Sequence, residues 1–352
     1  MQVNEHRLQD FMGKVLGEMG AAINAALVVV GDRLGLYKAM AGAEPMTAAA
    51  LAAKTRTDER YVREWLSAQA AGGIVTYDAA KQTFTLPDEH AMAFAVEDSP
   101  VYVPGAFSVI TSCFLDIDKV VRVFRTGEGL GWHEHHPLLF SGTDRFFRPG
   151  YKNNLVSAWI PALEGVQAKL ERGAKVADVG CGYGSSTLLM AQAYPNSMFF
   201  GFDYHDASIE TARRSADQAG LGGRVTFDVA SAKAFPGSHY DLVAVFDCLH
   251  DMGDPVGAAR HVCETLAPDG VWMIVEPYAN DRLEDILNAV GRIYYAASTM
   301  ICTPGSRAQE VGLALGAQAG EARMRDVATQ AGFGRFRRAA ETPFNLIYEA
   351  RP

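Results

Sequence analysis

The sequence predicts a mixed α/β chain: a parallel sheet with helices on both faces in the C-terminal half, behind a smaller, mainly helical N-terminal domain. Three observations predict it. From residue 174 onward, short apolar runs alternate with amphipathic segments of helical period. A glycine-rich loop, VGCGYGSS at 179–186, directly follows the first of those runs. Ahead of them, residues 44–87 read as helical patterns followed by two short alternating runs around a turn.

The composition sets bounds on this architecture. With 352 residues, 49% hydrophobic and 21% charged, the chain is long enough for about two domains and has ordinary globular character. Its formal net charge of −9 and pI of about 5.5 argue against a general nucleic-acid binder, which needs clustered Lys and Arg. The five cysteines, at 113, 181, 248, 263 and 302, show no CxxC spacing. That scatter argues against a disulfide framework or zinc ribbon and for a reducing compartment. The start, MQVNEHRLQD, is polar and unlike a signal peptide. The apolar stretch AALVVV at 25–30 ends at Gly31-Asp32, short of the roughly 20 residues that span a bilayer. A cytoplasmic protein with no membrane association is the expectation.

In chain order, Leu8, Phe11, Met12, Val15, Leu16, Met19 and Ile23 form one apolar stripe on a helix. The stripe precedes any core and needs a partner. A second subunit, giving a homodimer, is favoured over packing on its own domain. Next, Thr47 is expected to cap one helix and Thr57 another, the latter ending at Gly72-Gly73. The hairpin IVTYD/KQTFTL then completes a winged helix-turn-helix. Residues 36–90 carry six Lys/Arg against seven Asp/Glu, a net of −1. A duplex reader would show a positive face there, so dimerisation and the wall of a substrate pocket are favoured over DNA binding. Residues 91–170, punctuated by Pro100, Pro104, Pro137 and Pro149, read as a helical linker and pocket region. The boundaries expected are therefore 1–90, 91–170 and 171–352.

The C-terminal part offers seven strands: AKVADVG, SMFFGFD, GRVTFDVA, YDLVAVFDCLH, GVWMIVEP, GRFRRAA and PFNLIYEA, the last two forming an antiparallel hairpin. The arrangement is Rossmann-like. The loop GCGYGS lacks the third glycine of a dinucleotide GxGxxG fingerprint. Asp178, two residues before Gly180, would repel a diphosphate but not a cationic ligand. Asp203, at the end of the second strand, suits ribose hydroxyls, but it would do so equally for NAD. An NAD(P)-dependent oxidoreductase thus stays open as an alternative on these residues.

Taken in order, VADVGCGYGSS, FFGFDYH, VTFDVASAKAF, YDLVAVFDCLHDM and LAPDGVWMIVEP resemble a class I S-adenosylmethionine (SAM)-dependent methyltransferase. With the winged helix ahead of them, almost the whole chain is similar to small-molecule O-methyltransferases that dimerise through their N-terminal domains. The resemblance implies a Rossmann-like seven-stranded methyltransferase sheet with SAM as cofactor. It implies that Gly180, Cys181, Gly182 and Gly184 approach the amino-acid part and sugar of SAM, with Asp178 near them. Asp203 would hold the ribose, Tyr204 would lie beside the adenine, and Ser231 and Ala232 would meet its edge. Asp247 and Cys248 end the fourth strand at the ligand-binding edge, and Arg148 and Tyr151 would close over the cofactor. In Leu249-His250-Asp251, His250 corresponds to the general base of winged-helix O-methyltransferases, and Glu276 to the residue that orients it. The alternative is that His250 only caps the strand or shapes the pocket.

The cluster WHEHH at 132–136 invites a metal reading, but its histidines stand at i, i+2 and i+3 rather than in H-E-x-x-H spacing. Trp132, His133, His135 and His136 are therefore expected in a substrate pocket facing the methyl group, or between domains, with no metal. Met252, Tyr294 and Tyr295 would line a small, partly hydrophobic acceptor site. The expected function is methyl transfer from SAM to a small-molecule acceptor, at oxygen, by in-line displacement. A SAM-binding winged-helix transcription regulator is the other class of reading.

Overall fold

The computed structural model describes residues 3–352, and the chain separates into two units. One comprises the residues up to Ser112 together with Ser141–Pro149. The other comprises Cys113–Phe140 and Gly150–Pro352. The region 91–170 is therefore shared between two bodies, where a separate linker was expected.

The first unit opens with the helix Glu5–Arg33, capped by Asn4, whose side chain accepts the Arg7 N–H at 3.0 Å. The helix breaks at Gly35, in the left-handed region at φ +69°. Helices Leu36–Met40, Ala48–Thr55 and Glu59–Ala71 follow, then the antiparallel hairpin of β1 (Thr76–Asp78) and β2 (Thr83–Thr85). Thr47 caps Ala48–Thr55 by accepting the Ala50 N–H. The next cap is Asp58 rather than Thr57. The carboxylate accepts the N–H groups of Arg60 and Tyr61, while the Thr57 hydroxyl pairs with that of Thr55. Val28, Leu36, Tyr37, Met40, Leu51, Trp65 and Leu66 form the core of this unit. Its buried polar rings Tyr37, Trp65 and Tyr102 are satisfied: Tyr37 donates to Gln69, Trp65 to the Leu27 carbonyl and Tyr102 to Asp32.

The first helix also corrects the reading of AALVVV. At 29 residues it is long and apolar enough to cross a membrane by length and composition, because alanines, glycines and methionines extend the apolar run toward the N-terminus. It is the one such helix among the described residues.

The second unit is built on a seven-stranded sheet. Its strands are β3 (Lys175–Val179), β4 (Met198–Asp203), β5 (Val225–Val229), β6 (Tyr240–Phe246), β7 (Leu266–Pro277), β8 (Arg335–Glu341) and β9 (Asn345–Arg351). The order across the sheet is β5-β4-β3-β6-β7-β9-β8, with the first five parallel. β9 lies antiparallel between β7 and β8, so the last strand is interior and its predecessor takes the edge. That edge carries Arg335, Arg337 and Arg338, charges that discourage further strand pairing. The inner strands are buried along nearly their whole length, as expected for a parallel sheet covered on both faces. The chain runs outward from β3 through β4 to β5, then crosses back to β6. The point where strand order reverses lies between β3 and β6, and ligands bind at such points beyond the carboxyl ends of the strands.

Candidate active site

β3 delivers the glycine loop to that switch point. The chain leaves Val179 through Gly180 at φ +77°, and the Gly180 N–H donates to the Phe202 carbonyl at 2.7 Å. A Cβ at residue 180 would sit 2.6 Å from Cys248 Sγ, so the loop and the end of β6 meet only because residue 180 lacks a side chain. Gly182, at φ +53°, donates its N–H to Asp203 Oδ2 at 3.0 Å and has open space where a Cβ would stand. Gly184, at φ +81°, leads into the helix Ser185–Ala193.

Beneath the loop, Asp178 is fully buried. Ser186 and Thr187 both donate their hydroxyls to Oδ2, each at 2.6 Å. The other oxygen, Oδ1, has no hydrogen-bond donor. Burial pushes the carboxyl up to about 6 in spite of the two hydroxyls. On β4, Asp203 spreads its oxygens over two backbone donors, the N–H of His205 at 2.8 Å and that of Gly182. Tyr204 beside it is about half exposed. Ser231, exposed, and Ala232 follow β5 on a turn tied to this corner by the Ala230 N–H, which donates to the Asp203 carbonyl.

The WHEHH segment reaches the same corner. Trp132 packs on Phe140 with ring centres 5.4 Å apart, and Phe140 packs on His205 at 4.7 Å. The segment therefore stands at the Tyr204–His205 end of the sheet. His135 is buried, and Asp116 holds its Nδ1 at 3.0 Å. The same carboxylate accepts the His136 N–H and pairs with Lys119. His133 is exposed.

The second half of the site is the end of β6. Asp247 has a positive φ of +50°, and each of its oxygens is held: Tyr151 donates to Oδ2 at 2.9 Å and Asn345 to Oδ1 at 2.8 Å. Burial, reinforced by Glu276, pushes its carboxyl up to about 8. After Cys248 a tight turn, Leu249–Asp251, buries His250. His250 Nδ1 donates to Glu276 Oε2 at 2.5 Å, and the Leu249 N–H donates to Oε1 of the same carboxylate at 3.0 Å. The other ring nitrogen, Nε2, lies 3.2 Å from Asp251 Oδ1. Burial opposes the charged imidazole, but Asp251 and Glu276 outweigh it and hold His250 well above its ordinary value.

A long segment after β7 covers this turn. Ser306 donates to the Met252 carbonyl and Gln309 Nε2 to the Asp251 carbonyl, both at 2.9 Å. Gln309 Oε1 accepts the Gly253 N–H at 3.0 Å. Tyr294 is buried and donates to the Phe344 carbonyl, Met252 is half-buried, and Tyr295 is partly exposed. Arg148 is exposed, pairs with Asp144 and belongs to the other unit.

The structure thus brings Asp178, Gly180, Gly182, Asp203, Asp247, Cys248, His250 and Glu276 to one edge of one sheet. Sequence reasoning missed Ser186, Thr187, Asn345, Ser306 and Gln309, and named Asp251 within LHD without giving it a role. Ser186 and Thr187 were within reach, since hydroxyls one turn beyond a glycine loop point back at the strand they follow. Asn345, Ser306 and Gln309 depend on pairings across the fold that local pattern does not reveal.

Residues 170–327 match a methyltransferase domain model, and residues 21–95 match an Rv2258c-like winged HTH domain model. A ubiquinone biosynthesis O-methyltransferase of Leptothrix cholodnii is 30% identical over 152 residues, which is 42% of this chain and 61% of that protein. Mitomycin 7-O-methyltransferase MmcR is similar in structure, with a TM-score of 0.72 at 18% identity, covering 99% of this chain and 100% of MmcR. Human N-acetylserotonin methyltransferase, solved with SAM, gives a TM-score of 0.66 at 16% identity, covering 99% of this chain and 98% of its own. The chain spans from a third to about three-fifths of the length of the first curated relatives it matches.

Proposed function

We propose that this chain, a methyltransferase domain joined to a winged helix-turn-helix domain, moves a methyl group from SAM to oxygen of a small-molecule acceptor, with His250 as general base. The observation that carries the reading is the juxtaposition of two devices at one strand-order switch point. One is a glycine cradle over a buried acid with a donorless oxygen. The other is an imidazole fixed by a buried carboxylate.

The residues present fit SAM. Gly182 leaves open space above the loop, Asp178 Oδ1 lacks a donor that a cationic ligand would supply, and Asp203 offers carboxylate oxygens beside it. When bound there, SAM supplies an electrophilic methyl group. The chain's own task is to hold the acceptor in line and remove its proton. Glu276 accepts from Nδ1 and so presents Nε2 as the proton-accepting atom. Gln309 and Ser306 fix the turn that carries the ring, and Tyr294 and Met252 supply apolar wall. Asp247, held by Tyr151 and Asn345, adds a carboxyl to the same edge.

His250→Ala is expected to leave SAM affinity nearly intact and to lower turnover by about 10²–10⁴-fold. Unchanged turnover, with any acceptor that the wild type methylates, would reject the base role.

The exposed apolar face of the helix Glu5–Arg33 supports a homodimer built through the first unit. The winged helix-turn-helix would then serve assembly and pocket-building rather than DNA, in keeping with its net charge of −1 over residues 36–90. The five cysteines form no disulfide among the described residues, which suits a reducing compartment.

A further inference from the structure

We propose that His250 Nε2, Asp251 Oδ1 and Cys302 Sγ form a site for a divalent ion of zinc chemistry, and that this ion competes with the base role of His250.

The three donor atoms lie within 4.8 Å of one another. A tetrahedral ion with bonds of about 2.0–2.3 Å holds its ligand atoms roughly 3.3–3.8 Å apart. His250 and Asp251, at 3.2 Å, already stand close to that separation, and Cys302 Sγ lies no more than 4.8 Å from either. A set of one nitrogen, one oxygen and one sulfur favours zinc over magnesium or calcium, which take oxygen alone.

Two further observations point the same way. Glu276 accepts from the far nitrogen of His250, the outer-shell carboxylate that orients metal-binding imidazoles and leaves Nε2 presented. Apart from the His250 ring nitrogen 3.2 Å away, Asp251 Oδ1 is buried without a hydrogen-bond partner. The two segments that supply the ligands are also braced. Gln309 and Ser306 tie the Leu249–Asp251 turn to the region after the π-helical turn Ser298–Cys302. Three protein ligands leave a fourth position open.

The consequence is exclusion. An ion on Nε2 occupies the lone pair that would take the acceptor's proton, so metal-bound and base-competent forms are alternatives. This competition rests on the base role proposed above; the binding site does not.

The test separates the two. Protein stripped with a chelator is titrated with Co²⁺, with no acceptor or SAM present. Saturation at one equivalent with a thiolate-to-cobalt charge-transfer band is expected. Cys302→Ser should abolish that band and weaken Zn²⁺ binding at least tenfold. Glu276→Gln should weaken it about 10–100-fold. Cys263→Ser, distant from the cluster, should change neither. Absence of saturable binding, or a band that survives in Cys302→Ser, overturns the site. In a turnover assay Zn²⁺ should inhibit the wild type reversibly, and Cys302→Ser should need at least tenfold more. Zn²⁺ that displaces Co²⁺ and its band yet leaves turnover unchanged overturns the competition and keeps the site. A protein that methylates nothing defeats the base role, and the cobalt titration still decides the site.

Discussion

At the scale of single residues, the base role proposed for His250 carries a prediction about pH. A base acts only when neutral, and His250 is held well above its ordinary value chiefly by Asp251 and Glu276 acting against its burial. Turnover should therefore rise with pH, on a limb whose midpoint lies above about 6.5, the ordinary imidazole value. Glu276→Gln removes one of the two anions, so the midpoint should move to lower pH. The plateau should fall, by up to the full 10²–10⁴-fold worth of a base, because Nδ1 loses its orienting carboxylate. A pH–rate profile of the variant checks both. A limb that does not move would mean that Glu276 does not govern the ring's charge. This pair was legible in the sequence through the resemblance of LHD and of Glu276, near the end of the fifth parallel strand, to winged-helix O-methyltransferases. Asn345, which holds Asp247, was not legible, because it lies 98 residues away and arrives only through the insertion of β9.

At the scale of an element, the turn from β3 into the following helix carries a stability cost that its ligand would offset. Asp178 prefers to be neutral in the folded chain, with its carboxyl pushed up from 3.8 to about 6 by burial. A raised acid leaves folding unpenalised at low pH, and stability is lost as pH climbs from the unfolded value through the folded one. Above pH 6 the cost is about 3 kcal/mol, from roughly two pH units at about 1.36 kcal/mol each. Asp178→Asn, without ligand, should melt at a higher temperature than the wild type at pH 8 and at a similar temperature near pH 4. It should also bind SAM at least tenfold more weakly. Thermal melts across pH, paired with calorimetric titration, test this. A melting difference that does not grow with pH would contradict the account. The inner parallel strands were legible as continuous apolar runs of the right length, unlike the arginine-bearing β8. Their order was less so, because burial on both faces erases the alternation that would tell an interior strand from an edge strand, and β9 and β8 end in the reverse of the simplest arrangement. The helix Leu138–Asn154 divides its residues between both units, and a single apolar stripe does not say which body it serves.

At the scale of the whole molecule, the unmatched apolar surface of the first helix has to be accounted for. Phe11 is 60% exposed, Leu16 64%, Met19 62% and Ile23 74%, all on the stripe that the sequence pattern marks out. Lys14 and Glu18 lie on the same helix, so it is amphipathic rather than uniformly apolar, a character better suited to another helix than to lipid. Burying a side chain of this size contributes about 1.5–3 kcal/mol, so four of them, doubled by a two-fold partner, suffice for a stable dimer. Replacing Leu16 and Ile23 together by Glu removes two of these contacts from each subunit and puts charge in their place, which should raise the dimer dissociation constant at least 100-fold. Sedimentation equilibrium should then show a dimer for the wild type and a monomer for the variant at the same micromolar concentration, with unchanged helical circular dichroism. A monomeric wild type, or a wild type that partitions onto lipid vesicles while remaining monomeric in their absence, would mean that the stripe evolved for a different surface.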